Sequence, residues 1–295
     1  MPALSADRSG YRGRFAPSPT GPLHLGSLTA ALGSWLLAKS RGGKWLLRIE
    51  DIDPPRERPG VARQQIGTLA AFGLRPDEPV LWQSERSAFY QQALQSLIGK
   101  NLAFACHCSR SDLAPFDGVH RQCVARPSGK AAAYRLRIPE RTLDFEDRYR
   151  GRFSQALREN VGDVVLKRAD GFWAYQLAVV VDDAAQSITE VVRGADLLDS
   201  TPRQILLQQM LGLPTPAYAH LPIIRSPGGG KLSKSVSSAP VDPADPLPAL
   251  RLALRFLGQE AATIDGCNDV EAALARALRT FDPDRIPRQD TVFPS

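Results

Sequence analysis

The six residues Pro17-Ser18-Pro19-Thr20-Gly21-Pro22 constrain this chain more than any other stretch. Three prolines and a glycine cannot continue a strand or a helix, so regular structure must end before them and restart after them. On the near side, residues 11–16 form a short strand candidate. On the far side, Leu25, Leu28, Leu32, Trp35 and Leu36 recur at helical spacing, which predicts an amphipathic helix over residues 25–39. Residues 44–49 read as a second strand, ending in the acidic cluster Glu50, Asp51 and Asp53, and residues 60–72 as a second helix. Strand, loop, helix, strand, helix is the opening of a parallel α/β sheet.

The pattern changes over residues 101–150, where three cysteines, several arginines and short strand-like runs such as 133–138 are gathered. We read this as an insertion. The α/β signature returns with a strand-to-helix region over 171–181, a strand over 188–192 and a helix over 201–211. That last helix has Pro202 in its first turn, where a missing N–H costs little. A strand over 218–224 runs into Ser226-Pro227-Gly228-Gly229-Gly230-Lys231, and the last 55 residues read as helical (248–257 and 270–278) before a Pro-rich tail. The expected division is 1–105 and 171–240 as the two halves of one α/β domain, 106–170 as the insertion, and 241–295 as a short helical region.

Composition narrows the class. With 295 residues, 43% of them apolar and 23% charged, the chain can bury a core and is not disordered. Residues 1–10 hold no apolar run, and no stretch approaches the roughly 18 apolar residues of a membrane span. Secreted and membrane classes are set aside, and a cytoplasmic protein is expected. Without a long hydrophobic seam, a monomer is expected. The net charge of +6 permits a polyanionic partner and is equally consistent with a solvated, arginine-rich surface.

Two stretches carry chemistry. In Arg14-Phe15-Ala16-Pro17-Ser18-Pro19-Thr20-Gly21-Pro22-Leu23-His24-Leu25-Gly26-Ser27 a rigid loop delivers the chain to a helix start near His24. The free N–H groups and partial positive charge of a helix N-terminus suit phosphate. His24 can donate to a phosphate oxygen, and Gly26 lets a flat ring such as adenine approach the backbone. The bland reading is that His24 only caps the helix; the loop context favours the functional one. The second stretch is Lys231-Leu232-Ser233-Lys234-Ser235, which follows three glycines and holds two of the chain's seven lysines. A lysine ammonium is a mobile point charge, suited to neutralising phosphate as charge builds. An exposed, solvated loop is the alternative.

Together and in this order, His24-Leu25-Gly26-Ser27 and Lys231-Leu232-Ser233-Lys234-Ser235 resemble the two signatures of the class I aminoacyl-tRNA synthetases. The surrounding Arg-Phe-Ala-Pro-Ser-Pro-Thr-Gly and Leu47-Arg48-Ile49-Glu50-Asp51-Ile52-Asp53 are similar to the glutamyl/glutaminyl branch. Ser27 stands where that signature usually ends in His, and Leu232 where it has Met; neither change removes a needed charge. Sixty residues follow Ser235, where a full glutamyl-tRNA synthetase carries a large anticodon-binding domain. With the cysteine cluster, this resembles the glutamyl-Q tRNA(Asp) synthetase family.

The resemblance implies a Rossmann-like parallel sheet split by a zinc-knuckle insertion, with a short helical C-terminal region. It implies activation of L-glutamate with ATP to glutamyl-adenylate without tRNA. Transfer to the queuosine base in the anticodon stem-loop of tRNA(Asp) would follow. It makes His24 and Lys234 catalytic and gives ATP to His24, Gly26, Lys231, Ser233 and Lys234, with Mg²⁺ on the ATP phosphates. It gives glutamate to Arg14, Phe15, Ala16, Pro17, Ser18, Glu50, Tyr175 and Arg193. Arg14 pairs with a carboxylate bidentately and Glu50 meets the α-ammonium. For Tyr175 the alternative is a core aromatic, and for Arg193 a surface salt bridge with Asp196.

Cys106, Cys108 and Cys123 supply three ligands for a structural zinc, which prefers four. The family's usual Tyr, four residues before the last Cys, is Val119 here. His120 is the replacement, with His107 less well placed between two ligands. Three unligated buried thiols remain the alternative, and Cys267 reads as a small core residue. Two other functions stay open: ordinary charging of a tRNA 3′ end, and a non-catalytic tRNA-binding paralogue.

Overall fold

The computed structural model describes residues 10–127, 129, 131–225 and 239–292. Lys231, Ser233 and Lys234 lie outside the described residues.

The first half of the domain runs β1 (Arg12–Phe15), α1 (Leu25–Lys39), β2 (Lys44–Ile49), α2 (Val61–Ala71), β3 (Leu81–Trp82) and α3 (Ser87–Gly99). The insertion follows with β4 (Ala103–Cys106), the single turn α4 (Arg110–Leu113) and β5 (Ala133–Leu136). Then come β6 (Thr142–Asp147), β7 (Gly151–Ala156), the turn α5 (Leu157–Asn160) and β8 (Val164–Lys167). The second half is α6 (Tyr175–Ala185), β9 (Glu190–Gly194), α7 (Thr201–Leu211), β10 (Ala217–Leu221) and β11 (Ile224–Arg225). The chain closes with α8 (Pro246–Phe256), α9 (Val270–Thr280) and β12 (Thr291–Val292).

β1, β2 and β3 pair in parallel in that order, and β9 and β10 pair in parallel with Arg193 opposite His220. The two sets meet edge to edge, where Thr189 N–H donates to the Arg12 carbonyl at 2.9 Å and Arg12 N–H to Thr189 Oγ1 at 2.9 Å. β10 also takes β6 as a parallel neighbour, and β7 pairs antiparallel with β6. Strand order therefore reverses between β1 and β9. In open α/β sheets ligands bind outside the carboxyl ends of the strands at such a reversal. Residues 142–156, inside the stretch read as an insertion, thus extend the second half-sheet, while β4, β5 and β8 form a separate antiparallel sheet.

Helix α1 starts and stops where the spacing predicts, but it is not a half-exposed amphipathic helix. Ten of its fifteen residues are buried, because it packs on β1 and β9 and is covered by α8. The strand-to-helix region expected over 171–181 is instead a loop to Ala174 followed by α6, with Trp173 bridged to Lys167. One hydrophobic cluster joins α1, β1 and β2 to the C-terminal helices; a second packs α3, α6 and α7 against β6, β9 and β10. No described helix is long and apolar enough to cross a membrane.

Candidate active site and metal centre

A cleft of about 1410 Å³ opens at the strand reversal and reaches the insertion. Arg14, Phe15, Ala16, Ser18, Glu50, Tyr175 and Arg193 all line it. Pro17 is not part of the lining; its carbonyl accepts the Glu50 N–H at 3.0 Å. Gln65 Nε2 fastens the same loop by donating to the carbonyls of Ser18 and Gly21 at 3.1 and 2.7 Å. The Pro/Gly loop is therefore tied to the end of β2 and to α2.

At the inner end of the cleft, Arg14 and Arg193 sit on the two strands that flank the reversal, and Glu50 on the residue after β2. Arg14 donates from Nε and Nη2 to the two carboxylate oxygens of Asp183, at 3.0 and 3.3 Å, and from Nη1 to the Val192 carbonyl at 3.4 Å. Those contacts take three of its five N–H groups and hold the guanidinium plane. Asp183 also accepts from Arg48 Nη1 at 2.8 Å, and Arg48 is fully buried beneath the site. Sequence reasoning missed Asp183. Its signal is the pair Asp182-Asp183 inside the apolar run of α6, where two acids on a buried face need partners.

Glu50 lies 3.4 Å from Arg48 Nη2. Burial raises its pKa, and the nearby Arg48 and Arg14 only partly offset that. A buried carboxylate in this condition gains from an added cation. Arg193 is buried, not a surface group. Its Nη1 donates to the Tyr175 hydroxyl at 3.3 Å, Nη2 to Thr201 Oγ1 at 2.8 Å and to the Leu197 carbonyl at 3.3 Å, and Nε to His220 Nε2 at 3.0 Å. Tyr175 is thus held as a donor: its oxygen accepts from Arg193, which leaves its O–H for the cleft.

His24 and Gly26 lie at the start of α1, outside the lining of that cleft. His24 is the N-cap: its Nδ1 accepts the Ser27 N–H at 3.3 Å, while Ser27 Oγ accepts the His24 N–H at 2.8 Å. The residue that departs from the usual signature therefore closes a capping box. An amide N–H can only donate, so Nδ1 carries no proton and the neutral imidazole presents Nε2–H. Burial lowers the His24 pKa, with Asp196 pulling the other way. Capping and donation are thus compatible roles. A Cβ on Gly26 would sit 3.1 Å from His24 Cε1, so this glycine also gives the ring its room. Where the described chain resumes, Pro240 bridges to His24 and Val241 N–H donates to the Leu23 carbonyl at 3.0 Å.

In the insertion, Cys106, Cys108, His120 and Cys123 bring their ligand atoms within 4.8 Å of one another. Cys106 Sγ is 3.3 Å from His120 Nε2 and 3.9 Å from Cys123 Sγ. The group contains His120 and not His107. His120 Nδ1 meets Asp163 Oδ2 at 2.9 Å, which leaves Nε2 for a metal, the arrangement by which a carboxylate orients a ligating histidine. Asp163 is a second residue that sequence reasoning missed. Burial raises the Cys123 pKa to about 11, aided by the neighbouring Cys106. Arg135 is buried alongside; its Nη1 donates to the Asp163 carbonyl at 2.9 Å and its Nε finds no partner. Its charge is one of the influences lowering the Cys108 pKa, behind the N–H groups of Ala125 and Val124 and against burial. Three neutral thiols would leave this buried cation unbalanced. Three thiolates and a neutral imidazole around a divalent ion carry one net negative charge, so the donor set fits a metal.

The family model for tRNA synthetases class I (E and Q), catalytic domain, matches residues 11–118 and 120–245. A glutamyl-Q tRNA(Asp) synthetase of Xanthomonas campestris pv. campestris (strain 8004) is 60% identical over 279 residues, 94% of each chain. One from Burkholderia cenocepacia is 51% identical over 292 residues, 93% of this chain and 98% of its own. Among solved structures, a glutamate tRNA ligase from Elizabethkingia meningosepticum in complex with its amino acid is similar with a TM-score of 0.81. It is 28% identical, over 97% of this chain and 67% of its own. Matches of this extent mean that the chain belongs to the glutamyl-Q tRNA(Asp) synthetases, within the class I tRNA synthetases for glutamate and glutamine, and is an ATP-dependent ligase.

Proposed function

We propose that this chain activates L-glutamate with ATP in the absence of RNA and then transfers glutamate to the queuosine base in the anticodon loop of tRNA(Asp). The observation that carries the first step is the inner end of the cleft, where two guanidiniums, Arg14 and Arg193, stand with one buried carboxylate, Glu50. That set complements a molecule with two carboxylates and one ammonium. Arg14 takes the side-chain carboxylate, Glu50 the α-ammonium, and Arg193 with Tyr175 closes the remaining wall, beside Phe15, Ala16, Pro17 and Ser18.

One oxygen of the α-carboxylate attacks the α-phosphorus of ATP, and the bond to the bridging oxygen breaks to release pyrophosphate. The carboxylate is already ionised at neutral pH, so no general base is required. The barrier falls by in-line placement and by neutralising charge on the phosphates. His24 donates from Nε2, Gly26 leaves the adenine its approach, and Lys231, Ser233 and Lys234 bind the phosphates. Mg²⁺ carried on the ATP phosphates would share in neutralising their charge. A hydroxyl of the acceptor then attacks the anhydride carbonyl; AMP leaves and the hydroxyl proton passes to water. The names of the relatives support tRNA(Asp) as acceptor, and the arginines along the cleft, Arg110 and Arg168, suit an RNA backbone.

Glutamate-dependent ATP–pyrophosphate exchange tests this. Exchange with RNA-free protein is the expected result. Exchange only on adding tRNA would point to charging of a tRNA 3′ end, and none under either condition to a binding paralogue.

The metal is proposed to be zinc, held by Cys106, Cys108, His120 and Cys123 in a closed, structural site. Purified protein is expected to contain about one zinc per chain, and a strong chelator to lower its Tm while sparing α1, α8 and α9 in hydrogen exchange. A metal content near zero would remove this assignment.

A further inference from the structure

Arg193 is held by more than its own strand. His220 stands directly opposite on β10 and is fully buried, and its Nε2 lies 3.0 Å from Arg193 Nε. A guanidinium has five donors and no acceptor, so this contact requires an unprotonated Nε2. Asp147, at the end of β6, supplies the condition. Its Oδ2 lies 2.6 Å from His220 Nδ1, and its Oδ1 accepts the backbone N–H of His220 at 3.1 Å. The N–H groups of Tyr149 and Arg150, at 3.1 and 3.0 Å, anchor that same Oδ1. The Tyr218 ring stacks beside His220 at 6.2 Å, and Thr201 Oγ1, which accepts from Arg193 Nη2, lies 3.3 Å from the same Nε2, where its O–H can donate.

We infer that Asp147 and His220 are positioning residues that hold Arg193 for the amino-acid substrate. Asp147 fixes the proton on Nδ1, which keeps Nε2 an acceptor aimed at Arg193. The guanidinium is then turned so that Nη1 reaches Tyr175 and the cleft. Were the proton on Nε2, two donors would face each other and Arg193 would be driven out of line. Neither residue touches the cleft, so both act through Arg193. The inference rests on the glutamate-activating reading given above.

Two substitutions separate the contacts. In His220→Asn the amide N–H takes the place of Nδ1–H and keeps Asp147 paired, but nothing stands at the Nε2 position to accept from Arg193 Nε. In His220→Gln the amide oxygen reaches the Nε2 position and serves Arg193, but the bond to Asp147 is lost. The readouts are KM for glutamate and for ATP in RNA-free pyrophosphate exchange, with Tm for each variant. His220→Asn is expected to raise the glutamate KM about tenfold or more, with the ATP KM within about twofold. His220→Gln is expected to recover most of the glutamate affinity although it is the less stable variant. A purely structural role predicts the opposite, because His220→Gln takes from a buried carboxylate the Nδ1–H that donates to its Oδ2. Equal glutamate KM values in the two variants, or an unchanged one in His220→Asn, would overturn the inference. Absence of glutamate-dependent exchange in the wild-type protein would instead overturn the reading it rests on, and the inference with it.

Discussion

Asp183→Ala is expected to lower the stability of the protein by about 3–5 kcal/mol, the usual result of removing one partner from a buried ion pair. Three bonds converge on this carboxylate, from Arg14 Nε and Nη2 and from Arg48 Nη1. Without it, Arg48 keeps only Gln186 at 2.8 Å and Glu50 at 3.4 Å, and its Nε is already unpartnered. Two buried guanidiniums would then share one carboxylate. Asp183→Asn keeps the shape and one acceptor, so its loss should be smaller. The pH dependence has a definite sign. Burial raises the Asp183 pKa, but Arg14 and Arg48 outweigh burial and hold it below the ordinary value of 3.8. A carboxyl depressed by folding contributes its full stability above the unfolded value and loses it as pH falls through the folded one. The wild-type protein should therefore lose stability steeply below about pH 4, and Asp183→Asn less steeply. Urea unfolding across this range measures both effects. An Asp183→Ala protein within about 1 kcal/mol of wild type would mean that the network is not what holds these strands together.

The largest effect on activity is expected from Lys234→Ala, which should slow adenylate formation by roughly 10²–10³-fold, the usual loss of one group that meets developing charge. Only seven lysines occur in the chain, against thirty arginines, and Lys231 and Lys234 are two of them. An ammonium on a flexible stem can follow a phosphate from ground state to transition state, where a planar guanidinium is fixed to one orientation. Lys234→Arg should therefore recover only part of the rate. Because the role belongs to the transition state, the glutamate KM should change little and Tm not at all. Single-turnover measurement of pyrophosphate release decides it, and a rate within threefold of wild type would remove Lys234 from the reaction.

Local signals were legible in the sequence. The limits of α1, β2 and α7 coincide with the spacing, because each is set by its own residues: the Pro/Gly loop before α1, the acidic cluster after β2, Pro202 in the first turn of α7. Arg14, Glu50, Tyr175 and Arg193 stood out through motifs, and they share one cleft. What stayed hidden depends on pairing across long separations. Nothing local says that residues 142–147 lie beside residues 217–221, or that Thr189 joins Arg12. The supporting acids escaped for the same reason. Asp147 and Asp163 look like surface residues until their partners, 73 and 43 positions away, are brought to them, and the apolar run around Asp183 says that it is buried but not that Arg14, 169 positions away, is its partner. His220 is a single polar residue in an apolar strand, and its meaning depends on the Arg193 opposite.

The short pairing of β11 with β12 has a practical side. Ile224 stands opposite Thr291, and the carboxylate of Asp290 accepts from the Ile223 N–H at 3.2 Å and from Arg150 Nη2 at 2.8 Å. The last strand is thus stitched to the segment that leads into the lysine-bearing signature. An affinity handle or fluorescent fusion placed after Ser295 would hang from that stitch. Assays of such fusions would report on the attachment as well as on the enzyme, and a cleavable linker becomes a control in its own right.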